Sequence, residues 1–349
     1  MEHRVYSVNM DTQSATSSPQ SAAETSVALV AGASRGLGLL IARELGRRGH
    51  HVVICARDEI ELDSAQDLLG EAGIAVSTRV CDVTDRAAVR ALVADVEDTV
   101  GPIHTAITVA GVIHVGPLES VTEDHFAEAV DIMLWGPVHV ALAVLPGMRA
   151  RRAGRIGTVT SIGGLVSVPH LLPYSTAKFG AVGFAQGLSA ELAGTGITST
   201  TIVPGLMRTG GHLHAQFSGQ QTEEYAWFAA SGSLPLISMD AERAAEKMVH
   251  AVLAGKPTVI LSPLAKVGAR VHGLAPATTV RLMGLASRLL PSPPAADVDA
   301  SVDRQGTPES STIAGHVADR LADSAVLDKL ITLGQRSAAR FNESRSSRF

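Results

Sequence analysis

Tyr174 and Lys178, in the run Tyr-Ser-Thr-Ala-Lys, stand four residues apart at the start of a stretch of helical period, so their side chains share one face. A phenol with a reference pKa of ~10 is a poor base at neutral pH, and a nearby ammonium stabilises the phenolate and moves its pKa toward the working range. Ser161 follows Thr160 at the end of an apolar run that starts at Arg155. At the carboxyl end of a strand it could hydrogen-bond a substrate oxygen while Tyr174 exchanges a proton. Taken alone, a Tyr and a Lys at this spacing are more often a packing ring beside a solvated amine. Their coincidence with Ser161 and with a glycine-rich turn reverses that weighting.

The turn is Gly32-Ala33-Ser34-Arg35-Gly36-Leu37-Gly38, which follows the β-rich run Val27 to Ala31 and opens a helical stretch. Glycines at such a turn let backbone amides approach a pyrophosphate at a helix N-terminus. An isolated glycine cluster reads equally well as a tight turn packed on a neighbouring helix; the strand before it and the repeats after it favour the dinucleotide. A ribose with a free 2'-hydroxyl is normally held by a carboxylate near the end of the second strand, whereas a 2'-phosphate suits arginine. Here that strand ends Cys55-Ala56-Arg57. With Ala56 where an acid would stand, and with Arg57 and Arg35 able to converge on a phosphate, NADP is expected in preference to NAD. The competing reading leaves both arginines solvated and turns Asp58 toward the ribose.

The elements that must position these residues follow one rhythm. Seven β-rich runs, Val27 to Ala31, His51 to Ala56, Ile74 to Val80, His104 to Val109, Arg155 to Thr160, Ile197 to Val203 and Thr258 to Leu261, are separated by stretches long enough for crossover helices. Those stretches include Gly38 to Arg48, Glu59 to Leu69, Arg86 to Val100, Phe126 to Arg149, Tyr174 to Leu192 and Ala241 to Ala254. The expectation is an α/β fold: a Rossmann-like, doubly wound, seven-stranded parallel sheet in a single domain with a C-terminal helical extension. The expected division is a loose N-terminal tail over 1–25, the Rossmann-like domain over 26–262, a basic amphipathic extension over 263–291, and a linker with a helical tail over 292–349.

Composition narrows the function classes. Of 349 residues, 46% are hydrophobic and 18% charged, which suits a globular chain with a large core. A net charge of -5 gives no global positive field for a nucleic-acid backbone, so nucleic acid is not an expected partner. Cys55 and Cys81 lie inside apolar runs and imply no disulfide framework, which suits a reducing, cytoplasmic setting. Residues 1–24 lack the apolar core of a secretory signal. His212 and His214 form a His-x-His pair without nearby acids or cysteines to complete a metal site, so loop histidines facing substrate or solvent are expected and metal is not.

Together these residues resemble the short-chain dehydrogenase/reductase family over about Val27 to Leu261. The likeness lies in Gly32, Gly36 and Gly38, Asp82 after the third strand, Ala110-Gly111 after the fourth, Ser161, the Tyr174 and Lys178 pair, and Pro204-Gly205 with Thr209. It implies that Ser161 positions the substrate oxygen, Tyr174 is the general acid/base, and Lys178 lowers its pKa and binds the nicotinamide ribose. It further implies that Asp82 and Val83 meet the adenine end, while backbone at Ala110, Gly111 and Pro204 to Thr209 lines the cofactor. An NADP-dependent oxidoreductase interconverting a secondary alcohol and a ketone is the expected activity. The same resemblance implies a homodimer or homotetramer through the Phe126 to Arg149 and Tyr174 helices.

Four positions depart from that pattern. Thr108-Val109 stands where the family has Asn-Asn, and Ala31 where it has Thr, so some strand-linking hydrogen bonds should be missing. Met133 falls on the family's central-helix Asn, and a thioether can neither donate nor accept well enough to replace a water relay to Lys178. A catalytically weak, NADP-binding sensor or scaffold is therefore the alternative reading. Leu165, Val166, Val168, His170, Leu171 and Leu172 would line an apolar, lipid- or steroid-like substrate's cleft, and Gly205 to Met239, with Tyr225, Trp227 and Phe228, would form a lid. From Val259 to Ala296 there is no Asp or Glu, while Lys266, Arg270, Arg281 and Arg288 flank apolar positions at helical spacing. That segment reads as a cover over the opening, a subunit contact or a peripheral membrane contact.

Overall fold

The computed structural model of the chain describes residues 26–233, 238–293, 312–321 and 340–343. The expected N-terminal tail, residues 1–25, and most of the expected linker and helical tail after 293 lie outside them. Seven strands form one sheet: β1 Val27–Ala31, β2 His51–Ala56, β3 Val76–Val80, β4 Ile103–Thr108, β5 Gly154–Val159, β6 Ile197–Val203 and β7 Thr258–Ile260. Every pairing is parallel, in the order β3-β2-β1-β4-β5-β6-β7. The expected doubly wound architecture is thus the observed one. Chain direction across the sheet reverses between β1 and β4, and in such sheets a ligand crevice opens at that reversal, above the carboxyl ends.

Helices cover both faces, which is why strands such as β1 (Val-Ala-Leu-Val-Ala) are apolar at every position and buried throughout. On one face α1 (Gly36–Arg47), α2 (Glu59–Glu71) and α8 (Ala241–Leu253) build a core from Leu39, Ile41, Leu45, Leu62, Leu69, Met248 and Val252. On the other, α3 (Arg86–Thr99), α5 (Gly136–Arg151) and the end of α6 (Leu172–Glu191) pack Val89, Val93, Val144, Met148 and Leu192 against the sheet. Helix starts are set by side-chain caps: Asp58 accepts from the Glu61 amide, Asp85 from Ala87 and Ala88, and Asp240 from Arg243. Asp58 is therefore engaged as a cap of α2, which accounts for it without a ribose.

Several boundaries moved for local reasons. The third strand starts at Val76 rather than Ile74, whose side chain instead packs beside Gly46 of α1. α6 begins two residues before Tyr174, with Pro173 in its first turn, where a missing N–H costs nothing. The long central helix runs from Glu123 to Arg151 as α4 (Glu123–Val130), a π turn Asp131–Trp135, and α5. By length and composition this run could cross a membrane, yet half of its most apolar window is inside the fold.

The described part of the expected lid forms regular elements. Met207–Arg208 pairs with Met239–Asp240, and α7 (Gln221–Ser233) follows the short strand Gln216–Phe217. That strand lies between His114–Val115 and Ile313–Ala314, so part of the chain's C-terminal region closes a small three-stranded sheet over the lid. Tyr225 of α7 is fully buried and donates to Asp319 at 2.6 Å.

Candidate active site

The glycine turn forces β1, β4 and α1 into close approach. Gly32 has φ +85°, and a Cβ there would lie 2.4 Å from the Ala110 amide nitrogen; a Cβ on Gly38 would lie 2.0 Å from the Gly32 carbonyl oxygen. Only glycine fits at either place. Val109 and Ala110 N–H both donate to the Ala31 carbonyl, at 2.8 and 3.1 Å. The strand link that Thr108-Val109 and Ala31 were expected to lose is therefore supplied by backbone, because those amides need no side-chain partner. Gly111 continues this edge, with its Cβ position 3.4 Å from the Met133 sulfur. Arg35 gives α1 no side-chain cap and the first turn of α1 carries no acid, so no side chain at the helix start competes with an anion for its first N–H groups. This cradle fits the diphosphate of a dinucleotide.

The residues expected around a 2'-phosphate are divided. Glu61, 6% exposed, accepts from the Ser34 hydroxyl at 2.8 Å and forms an ion pair with Arg35. Arg35 is thus held within the protein rather than free beside Arg57. Arg57 is largely exposed and lies 4.0 Å from Asp82. Asp82 itself is turned onto the Thr84 amide and hydroxyl, both at 2.9 Å. Val83 packs against Gly136 and accepts at its carbonyl from His139. At the far side Pro204 accepts from the Ile162 amide, Gly205 sits against Ser262, and the Thr209 hydroxyl accepts from Gly211. Leu37 packs on the α1 side of the core.

Ser161 caps the short 3-10 turn Ile162–Gly164 by accepting from Gly163 at 3.0 Å. Its hydroxyl oxygen and the Tyr174 ring edge lie 3.5 and 3.1 Å from one point, the Cβ position of Gly163. Lys178 is buried, with Nζ 5.8 Å from the Tyr174 ring centroid and donating to the Val159 carbonyl at 2.9 Å. Ser161, Tyr174 and Lys178 therefore converge at the carboxyl end of β5. The electrostatics differ from the sequence expectation. Burial pushes the Tyr174 phenol up, with the Ser161 hydrogen bond pulling back, and burial pushes the Lys178 amine down to about 8. Burial is the leading influence on the phenol, ahead of Ser161.

Met133 is buried in the π turn and packs with Ala129, Ile132, Ala177 and Tyr174. An apolar cluster occupies the flank of Tyr174 where a polar relay was expected to be lost. On the opposite flank Val168, Leu171, Trp227 and Phe228 join Tyr174 in one cluster. His170, at φ +61°, bonds through Nδ1 to Glu224 of α7 at 2.8 Å, and Trp227 donates to the other Glu224 oxygen at 2.7 Å. The lid is clamped to the segment between Ser161 and Tyr174. The two lid histidines do not face substrate: His212 is buried beside Tyr225, and His214 Nε2 bonds to the Glu343 carbonyl at 2.9 Å. Among the described residues no group of three or more His, Cys, Asp or Glu could hold a metal ion.

The residues that sequence reasoning missed are Glu61 and the segment Phe341-Asn342-Glu343. The Phe341 carbonyl accepts from Gly36 N–H at 2.8 Å, and the Asn342 amide donates to the Ser34 carbonyl at 2.9 Å. A Glu343 carboxylate oxygen accepts from Gly210 N–H. Nothing in the periodicity of the last residues signals a contact with a turn some 308 positions away.

The short chain dehydrogenase profile matches residues 26–216. A Streptomyces coelicolor protein provisionally named a ketoacyl reductase is 40% identical over 188 residues, 53% of this chain and 72% of that protein. The 3-oxoacyl-acyl-carrier-protein reductase FabG of Vibrio harveyi is 33% identical over 186 residues, 53% of this chain and 75% of its own length. Among solved structures, a variant of actinorhodin polyketide ketoreductase with NADPH superposes with a TM-score of 0.60 at 32% identity, covering 68% of this chain and 95% of the other. Profile, relatives and sheet order agree that the chain belongs to the short-chain dehydrogenase family, as an oxidoreductase acting on CH–OH or keto groups.

Proposed function

We propose that the protein is an NADP-dependent reductase of a ketone carried on an apolar carbon skeleton, with ketoacyl chains as the favoured class. The observation that carries the reading is the convergence of Ser161, Tyr174 and Lys178 beside the glycine cradle. The names of the relatives and the NADPH of the similar structure support the substrate class and the cofactor. Arg57, exposed at the end of β2 where no acid stands, is the residue best placed to meet a 2'-phosphate. The nicotinamide, when bound, supplies the hydride. Ser161 holds the carbonyl oxygen, Tyr174 gives that oxygen its proton, and Lys178 stands behind the phenol to compensate the charge left on it. Val168, Leu171, Trp227 and Phe228 keep the Tyr174 side of the site apolar.

Tyr174→Phe tests this directly. Loss of the phenol should lower kcat by about 10²–10⁴-fold on a panel of ketoacyl thioesters with NADPH, while NADPH binding stays close to that of the wild type. Turnover undiminished in the variant sinks the catalytic assignment. The alternative, a cofactor-binding sensor with little turnover, is favoured by Met133 and its apolar neighbours beside Tyr174; tight NADPH binding without oxidation across that panel would support it.

The reading extends to partners and place. Trp135 and Leu142 on the central helix and Phe179 on α6 are exposed apolar residues on the two helices expected to pair between subunits. A homo-oligomer formed there would cover them, and a monomeric mass in sedimentation removes that idea. The reducing setting suggested by two buried free cysteines favours the cytoplasm, and localisation of a tagged chain checks it. The helices α9 (Pro263–Leu274) and α10 (Pro276–Ser287) would touch an anionic membrane surface, as argued below.

A further inference from the structure

We propose that the C-terminal segment Phe341–Glu343 is an internal occupant of the cofactor crevice, with the Glu343 carboxyl group taking the place of a phosphate, so that the dinucleotide must displace it to bind. The proposal rests on the reading of the glycine turn as a dinucleotide cradle. Its grounds are the contacts themselves. The N–H of Gly36, at the start of α1, is the kind of donor a diphosphate would use, and here it donates to the Phe341 carbonyl at 2.8 Å. One Glu343 carboxylate oxygen lies 2.6 Å from the Cβ position of Gly36, and the other accepts from Gly210 N–H, next to Thr209. The carboxylate therefore bridges the two walls between which the diphosphate would lie.

The segment is anchored on both sides of that bridge. Asn342, at φ +61°, donates to the Ser34 and Glu61 carbonyls at 2.9 and 3.3 Å and accepts from the Ser64 hydroxyl at 3.0 Å. Phe341 is buried among the α1-side core residues, Arg340 pairs with Glu242 at 2.9 Å, and His214 holds the Glu343 carbonyl. Arg35, which attracts the Glu343 charge, is also the cation of the glycine turn. Anion-seeking groups of the crevice are thus engaged by the chain's own acid and carbonyl. A segment and a ligand that share donors exclude one another, and the apparent affinity for the ligand falls by the fraction of molecules in which the segment is undocked.

The test uses the full-length chain. Calorimetric titration with NADPH compares wild type, Glu343→Ala and the double variant Asn342→Ala/Glu343→Ala, and hydrogen exchange follows the peptide containing residues 340–343 with and without NADPH. Docking of nine molecules in ten predicts that the variants bind about tenfold more tightly, and that NADPH removes the protection of the C-terminal peptide in the wild type. Equal affinity in wild type and variants, with the peptide equally protected when NADPH is bound, overturns the proposal and leaves the cofactor reading standing. NADPH binding to none of the three overturns both. A variant that binds more weakly, with its thermal transition lowered, overturns the proposal in favour of a purely structural role for the segment.

Discussion

Lys178 shows how this site sets function against stability. Its amine is desolvated beside Tyr174 and donates to the Val159 carbonyl, and burial lowers its pKa from 10.5 to about 8. A base whose pKa is lower in the folded chain binds fewer protons there than when unfolded. Stability should therefore rise as pH increases from about 8 to 10.5 and should be flat, at its lower value, below that window. Lys178→Met removes the buried cation and leaves one carbonyl unpaired. The variant is expected to gain of order 1 kcal/mol near pH 7, lose the rise between those pH values, and lose most turnover. Urea unfolding at several pH values reads the first two effects; an unchanged slope in the variant would show that Lys178 is not the group responsible. That Ser161, Tyr174 and Lys178 belong together was legible in the sequence because they are a local pattern on one strand end and one helix turn. The state of the phenol was not, since part of its burial comes from Met133 in the π turn and Phe228 in α7, both remote in sequence.

At the scale of elements, periodicity carried the reading wherever an element packs on its sequential neighbours. All seven sheet strands fall on the apolar runs, and helices start where Asp58, Asp85, Asp240 and Ser262 can cap them. It failed where partners are remote. The lid's strands escaped the pattern because they are two residues long, and Gln216–Phe217 gains its order from His114–Val115 and Ile313–Ala314. The same pattern found α9 and α10 but left open what they cover. In the structure they cover little: Ala265 alone is buried in α9 and Thr279 alone in α10, while Leu274 and Leu289 are 89% and 87% exposed. Leu264, Val267, Val271, Leu282 and Leu285 are exposed as well, amid Lys266, Arg270, Arg281 and Arg288 and no acid. An apolar stripe flanked only by cations matches the chemistry of an anionic bilayer surface better than that of a neutral protein face. The chain should float with vesicles of phosphatidylglycerol and phosphatidylcholine and much less with phosphatidylcholine alone. Leu274→Ser/Leu285→Ser should reduce flotation several-fold with NADPH binding intact; flotation equal in both vesicle types and in the variant refutes a membrane role.

For the whole molecule, the feature that no window of sequence could show is the return of the chain's end to its beginning. Phe341 joins the core of α1 and Glu343 crosses to Gly210, so the first and last described segments share one crevice. Burying a phenylalanine contributes roughly 1.5–3 kcal/mol, enough to hold the segment in place yet within reach of a cofactor that binds tightly. The acid makes this balance depend on pH. Burial raises the Glu343 pKa from 4.5 to about 7, against the opposing pull of the Gly210 N–H and Arg35, with Glu61 adding to the rise. His214, which holds the Glu343 carbonyl, is lowered to about 4 and stays neutral across this range. Because the docked acid binds a proton more readily than the free one, docking strengthens as pH falls from about 7 to 4.5 and levels off at its weakest above 7. The ratio of NADP dissociation constants, wild type over Glu343→Ala, should therefore be several-fold larger at about pH 6 than at about pH 8. Titration of the cofactor's own 2'-phosphate, near pH ~6, is common to both proteins and cancels in the ratio. Glu343→Gln, which keeps the neutral shape at every pH, should hold the ratio high and flat. A wild-type ratio that does not change between these conditions would show that the Glu343 carboxyl does not govern entry to the crevice.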